Sequence, residues 1–169
     1  MTSAPIPTLS SSRLTLRALG EADHVALLAL AHDEEVARYL HEGPAPSASD
    51  VANRVAGAMR QWTLRGYGML AVEDAEGFVG RLGLFHPAEA PDPLLAYVFC
   101  RRGWGMGYAT EGVGLFLDWM RSTHKPQLLL AHIEPRNVAS ARVAAKFGAI
   151  RTGTAQRGES TLDVWTFRA

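Results

Sequence analysis

Apolar residues change their spacing partway along the chain. Residues 13–17, "RLTLR", alternate as a half-buried strand does. Residues 21–40 carry apolar side chains at helical spacing, with a break near His32–Asp33. A loop, "EGPAPSAS" (42–49), leads into an amphipathic helix over 49–65 with Ser49 or Asp50 as its cap. From Gly68 the period shortens. Residues 68–74 and 78–86 predict two strands joined by a tight turn at Ala75–Gly77. "LLAYVFC" (94–100) is apolar throughout, as a strand buried on both faces is. A helix over 108–124 places Val113, Phe116, Leu117 and Met120 on one stripe. "QLLLAHI" (127–133) predicts another buried strand, and 137–149 a helix that Gly148 stops. Segments 151–157 and 161–167 close the chain as a short hairpin.

This order predicts an α+β fold: a mixed, mostly antiparallel sheet flanked by helices. Residues 94–133 form a parallel strand–helix–strand crossover. There is no internal repeat, low-complexity segment or linker. Residues 13–169 read as one domain, and the Pro/Ser/Thr-rich residues 1–12 as a flexible arm.

Composition removes several function classes. The chain has 169 residues, enough for one sizeable core. Lys+Arg and Asp+Glu both number 17, so the net charge is zero, which argues against nucleic acid or an anionic membrane as partner. The single cysteine, Cys100, excludes an internal disulfide and suits a reducing compartment. The first twelve residues lack the basic and apolar regions of a signal peptide. The expected location is cytoplasmic. His32, His41, His86 and His124 show no metal-ligand spacing, and no metal is expected.

The stretch "GWGMGYATE" (103–111) carries the chemistry. The first N–H groups of a helix lack internal partners, and the helix dipole adds positive charge there. Glycines let an anion approach those amides. Gly105, Met106, Gly107, Tyr108, Ala109 and Thr110 therefore predict a phosphate cradle, with a tight turn as the plainer reading. No Gly-Lys pair occurs, so the loop is no Walker A motif; the dinucleotide fingerprint fails at Tyr108 or at Thr110, depending on the frame.

"YVFCRRGWGMGYATEG", followed by "HIEPRNVASARVAAKFGA", resembles the GNAT N-acetyltransferase superfamily in its RimJ/RimL-like branch. The resemblance runs over nearly the whole chain. The superfamily's phosphate signature fits in two frames, Arg102-x-x-Gly105-x-Gly107 and Trp104-x-x-Gly107-x-Ala109; the second suits the branch better. The resemblance implies acetyl-CoA as co-substrate and two parallel strands, 94–100 and 127–133, splayed apart. It places the pantetheine arm against Tyr97, Val98 and Phe99, where a backbone N–H would hold the oxyanion. It implies that Asn137 contacts the pantetheine region and that Ser140 protonates the departing sulfur. Read from the residues alone, Asn137 is a helix cap and Ser140 a harmless first-turn serine.

The tyrosine acid that many superfamily members carry falls at Ala144 here, so the resemblance makes Ser140 the more natural candidate for the acid. His132 lies where other members carry a glutamate base and titrates near neutrality. A hydrogen-bonded strand histidine is its plainer reading; Glu134 and Asp163 are weaker bases. Glu111 reads as a dipole partner, and Lys146 as a solvated charge within reach of the coenzyme's outer phosphates. The expected function is direct transfer of acetyl from acetyl-CoA to a primary amine, on a protein N-terminus or a small molecule. The alternative is a non-catalytic CoA-binding module on the same fold. The last hairpin is expected to leave the acceptor cleft open at its edge, and its exposed strands could pair in a homodimer.

Overall fold

The computed structural model describes residues 5–40, 43–87, 90–126 and 128–168. The first four residues of the arm, His41 and Glu42, Ala88 and Glu89, Gln127 at the start of the predicted strand, and Ala169 lie outside the described residues.

The strands are β1 (Leu9–Ser10), β2 (Thr15–Ala18), β3 (Met69–Asp74), β4 (Gly77–Phe85), β5 (Leu94–Phe99), β6 (Leu128–Ile133), β7 (Ile150–Arg157) and β8 (Ser160–Arg168). They form one eight-stranded sheet in the order β1-β2-β3-β4-β5-β6-β8-β7. Every pairing is antiparallel except β5–β6. The helices are α1 (His24–His32), α2 (Glu34–Ala37), α3 (Ala48–Arg65), α4 (Tyr108–Thr123) and α5 (Val138–Lys146).

Each face of the sheet has its own core. Along β3 the side chains alternate: Leu70 and Val72 join the α4 side, and Met69 and Ala71 the α1–α3 side. The predicted α4 stripe is the centre of the larger core, with Val113, Phe116, Leu117 and Met120 all at most 1% exposed. A Cβ on Gly112 would lie 2.7 Å from Leu82 Cδ2, so α4 sits close on β4 only because residue 112 is glycine. Trp62, late in α3, reaches around to Trp119 of α4, with ring centroids 5.6 Å apart.

Three local expectations change. The helix over 49–65 starts one residue earlier, at Ala48. Its cap is Ser47, not Ser49 or Asp50: Ser47 Oγ accepts from the Asp50 N–H at 3.2 Å, and Asp50 Oδ2 accepts from the Ser47 N–H at 2.8 Å. The break near His32–Asp33 is real, and Asp33 caps α2 by accepting from the Glu35 N–H at 3.1 Å. Part of the segment read as a loose arm is structured. Leu9 and Ser10 pair with β2, and Ile6 and Leu9 pack on the core, because these apolar residues have a face of α4 to cover.

Candidate active site

The sheet opens at its one parallel pair. β5 pairs with β4 along its whole length, from Leu94↔Phe85 to Phe99↔Gly80. It meets β6 only at Leu94↔Leu130. The Cys100 N–H donates to the Val79 carbonyl at 2.8 Å. In an antiparallel ladder this sets the alternation: Val98 turns its main chain to β4, and Tyr97 and Phe99 turn theirs to the gap. The expected row of three main-chain contacts is thus reduced to two. Val98 contributes its buried side chain, packed with Leu30 and Val36. The Phe99 carbonyl already accepts the Trp104 indole N–H at 2.9 Å.

The glycine stretch divides by role. A Cβ on Gly103 would lie 2.8 Å from Val79 Cγ2, so this glycine serves packing. Gly105 and Gly107 have φ of +73° and +78°, conformations that a side chain strains. Gly107 is the N-cap of α4. Among the described residues, the N–H groups of Gly105, Gly107, Tyr108, Ala109 and Thr110 have no protein acceptor; the first helical bond runs from the Glu111 N–H to the Gly107 carbonyl at 3.0 Å. Met106 departs from the expected cradle. Its N–H turns inward to the Gly103 carbonyl at 3.4 Å, and its half-exposed side chain lies outside the cavity described next.

A cavity of about 740 Å³ runs from the gap to this loop. It brings together Tyr97, Val98, Phe99, Gly105, Gly107, Tyr108, Ala109, Thr110, Asn137 and Ser140, but neither Met106 nor His132. Asn137 caps α5, its Oδ1 accepting from the Ser140 N–H at 3.1 Å. The Ser140 carbonyl accepts from the Tyr97 hydroxyl at 2.8 Å, a tie between β5 and α5 across the open side of the sheet. Burial pushes the Tyr97 hydroxyl up to about 12, against the opposing effect of that hydrogen bond, so it stays protonated. The Ser140 hydroxyl has no protein partner among the described residues.

Several arginine contacts escaped the sequence reading because the partners are distant in the chain. Arg13 donates to Glu111 through Nε at 2.8 Å and to the Met106 carbonyl at 2.9 Å, and stacks 5.0 Å from the Tyr108 ring centroid. Ser11 also donates to Glu111. Glu111 is thus structural, as expected, but as an anchor for the loop. Arg102 binds Asp74 at 2.6 and 3.0 Å and the Gly77 and Phe78 carbonyls, which removes it from the phosphate signature and leaves the Trp104 frame. Arg142 and Lys146 line the cavity, and Lys146 Nζ donates to Thr110 Oγ1 at 3.3 Å.

His132 stands on β6 between Ala131 and Ile133, which face the α4 side, so it faces the other. It is half-buried, and burial with the nearby Arg157 holds it below the ordinary histidine value. Glu134 and Asp163 are ion-paired with Arg136 and Arg151 at 2.8 and 2.6 Å, which fits neither for a base role. Burial pushes the Cys100 thiol up, away from thiolate chemistry. A second cavity, about 860 Å³, lies on the α1–α3 side, and Leu40 lines both. Arg157, in the last hairpin, donates to the Leu40 carbonyl at 3.0 Å and lines this cavity. The hairpin therefore reaches the wall of this cavity through Arg157. Among the described residues no helix is long and apolar enough to cross a membrane, and no group of His, Cys, Asp and Glu could hold a metal ion.

The sheet is split at one parallel pair, with bare amides and a helix N-terminus at the mouth of the split, an arrangement with room for an extended, anion-bearing ligand beside β5. The chain belongs to the acetyltransferase (GNAT) domain family, whose model matches residues 13–150. It is 32% identical to the uncharacterized protein YkkB of Bacillus subtilis over 108 residues, 60% of this chain and 62% of that protein. It is 25% identical to the uncharacterized N-acetyltransferase p20 of Bacillus licheniformis, over 95% of this chain and 94% of that one. The acetyltransferase from Agrobacterium tumefaciens C58 superposes with a TM-score of 0.83 at 26% identity, over 100% of this chain and 98% of that one. RimL, the ribosomal L7/L12 alpha-N-protein acetyltransferase in complex with coenzyme A, shares the fold with a TM-score of 0.80 at 18% identity, over 96% and 98% of the two chains.

Proposed function

We propose that the chain is an acetyl-CoA-dependent N-acetyltransferase that moves the acetyl group directly to a primary amine. The observation that carries this reading is the pairing of a strand edge open at Tyr97 and Phe99 with free amides at Gly105 and Gly107–Thr110, in one cavity. The residues fit the coenzyme: the loop amides, Arg142 and Lys146 would hold its phosphates, and the gap its pantetheine arm. Bound acetyl-CoA supplies an acetyl thioester. The Tyr97 and Phe99 N–H groups turn to the gap and are fixed by the β4–β5 ladder; they would hold the negative charge that develops on the thioester carbonyl.

Ser140 then gives its hydroxyl proton to the sulfur that leaves and takes one from the nitrogen of the tetrahedral adduct, which restores the hydroxyl. Its hydroxyl is unengaged, and its backbone is held by Asn137 and Tyr97. His132, neutral at pH 7 because its pKa is lowered, takes the proton of the incoming ammonium from the α1–α3 side, directly or through water. Cys100 forms no acyl intermediate, since burial keeps it a thiol. The names of p20 and RimL support a nitrogen acceptor. A homodimer through the exposed β7 edge is the further partner we propose, and light scattering tests it.

The test mixes protein, acetyl-CoA and a panel of amines and follows free thiol, with intact mass recorded before amine is added. Thiol release that depends on an amine, with no mass gain beforehand, is expected. An acetylated protein without acceptor overturns direct transfer. Saturable acetyl-CoA binding with no thiol from any amine makes the chain a non-catalytic module.

A further inference from the structure

The chain is neutral overall, yet the second cavity is not. Its wall carries Arg54, Arg60, Arg65, Arg81 and Arg157 and, among the described residues, no Asp or Glu. Several other arginines are paired: Arg17 with Asp23 and Glu73, Arg101 with Asp33, Arg102 with Asp74. Arg54, Arg60 and Arg65 are exposed and Arg81 and Arg157 half-buried; like charges around one hollow repel each other, and their field focuses into it.

Two of them are incompletely satisfied where satisfaction matters most. Arg81 stands on β4 in register with Val98 of β5, one strand from the gap, with no ion pair or hydrogen bond among the described residues. Burial, and then the neighbouring Arg54, pull its guanidinium down to about 10, so it remains a cation at neutral pH. Arg157 gives one N–H to the Leu40 carbonyl, but its Nε is buried without a partner. A buried donor without a partner costs stability, and a half-buried guanidinium without a counter-ion stands ready for an anion.

We propose that this cavity recognises the acceptor by a carboxylate: the acceptor is an amine that also carries an acid, which pairs with Arg81 and Arg157 while its nitrogen points to the gap beside Val98 and His132. Guanidinium groups bind carboxylates as two-point partners, and the same five cations repel polyamines and lysine-rich peptides. A free amino acid and the N-terminus of an acidic peptide share this chemistry. The proposal rests on the acetyltransferase reading for the fate of the amine but not for the anion site.

The experiment compares four acceptors in the thiol-release assay: glutamate, its neutral diamide, an amidated peptide beginning Ser-Glu-Glu, and putrescine. One of the two acids should exceed the diamide in kcat/KM by about 10-fold or more, the worth of charge-assisted hydrogen bonds to a half-buried guanidinium. Whichever acid wins identifies the source. Arg81→Met should erase the preference, as should Arg157→Met if the first variant folds poorly. The apo Tm of Arg81→Met should equal or exceed that of the parent, because an unanswered charge is removed; a purely structural arginine would lower it. Glutarate should raise the Tm of the parent but not of Arg81→Met, while CoA raises both. Equal turnover of diamide and acids, an unchanged preference in both variants, or glutarate stabilisation that ignores the substitution overturns the proposal. Glutarate stabilisation lost in Arg81→Met, with no thiol from any amine, would instead sink the catalytic reading alone.

Discussion

Replacing Gly107 with alanine separates what the loop does for the fold from what it does for the ligand. The residue has φ +78° and caps α4. A non-glycine residue in this left-handed region costs about 1–2 kcal/mol. The nearest heavy atom to the new Cβ is Arg13 Nη2 at 3.5 Å, an ordinary contact, so no steric clash is added. For a domain of this size the Tm should fall by roughly 2–8 °C. Strain at residue 107 also turns the loop whose free amides face the cavity. Losing one charge-assisted bond to a phosphate, about 1.5–3 kcal/mol, weakens CoA roughly 10- to 150-fold. Gly148→Ala is the matched control: φ is +76°, the new Cβ meets nothing, and the residue lies outside the cavity. Calorimetric titration with CoA, beside thermal melts, should show similar Tm losses in both variants and an affinity loss only in the first. Equal CoA affinity in the two would refute the amide cradle.

Ser140→Ala should leave the Tm and the KM for acetyl-CoA near their parent values and lower kcat by about 10²-fold or more, as removal of a general acid does, in steady-state kinetics. For His132 the depressed pKa makes the neutral base predominate at pH 7. Thus kcat/KM should rise with pH only below neutrality and then stay level; His132→Asn should remove that rise, and an unchanged profile would acquit the histidine. Phe116→Ala, at a position fully buried under α4, should cost about 3–5 kcal/mol in denaturant unfolding without altering which acceptors are used.

What the sequence disclosed follows from how far apart the interacting residues lie. The α4 stripe is periodic within one helix, so Val113, Phe116, Leu117 and Met120 were legible directly. The cradle was legible because its glycines and the helix start are contiguous. Ser47 was missed in favour of Ser49 and Asp50, although the Ser-x-x-Asp spacing of a capping box was there to read. Val98 and Met106 were placed in the contact set by proximity in sequence; strand alternation and a loop hydrogen bond turn their main chains away. Arg13 with Glu111, and Arg102 with Asp74, are 98 and 28 residues apart and leave no local pattern. The arginine-lined cavity was invisible for the same reason: its cations come from α3, β4 and β7, and a zero net charge conceals a local excess.

The central claim is that the amides of Phe99, Gly105 and Gly107–Thr110 are open in the free protein and are closed by the coenzyme. Site-resolved amide hydrogen exchange, with and without saturating CoA, tests it most directly. Fast exchange at these positions in the free protein and strong protection in the complex is the predicted result. Protection already present without CoA, or exchange that CoA leaves unaltered, would contradict it.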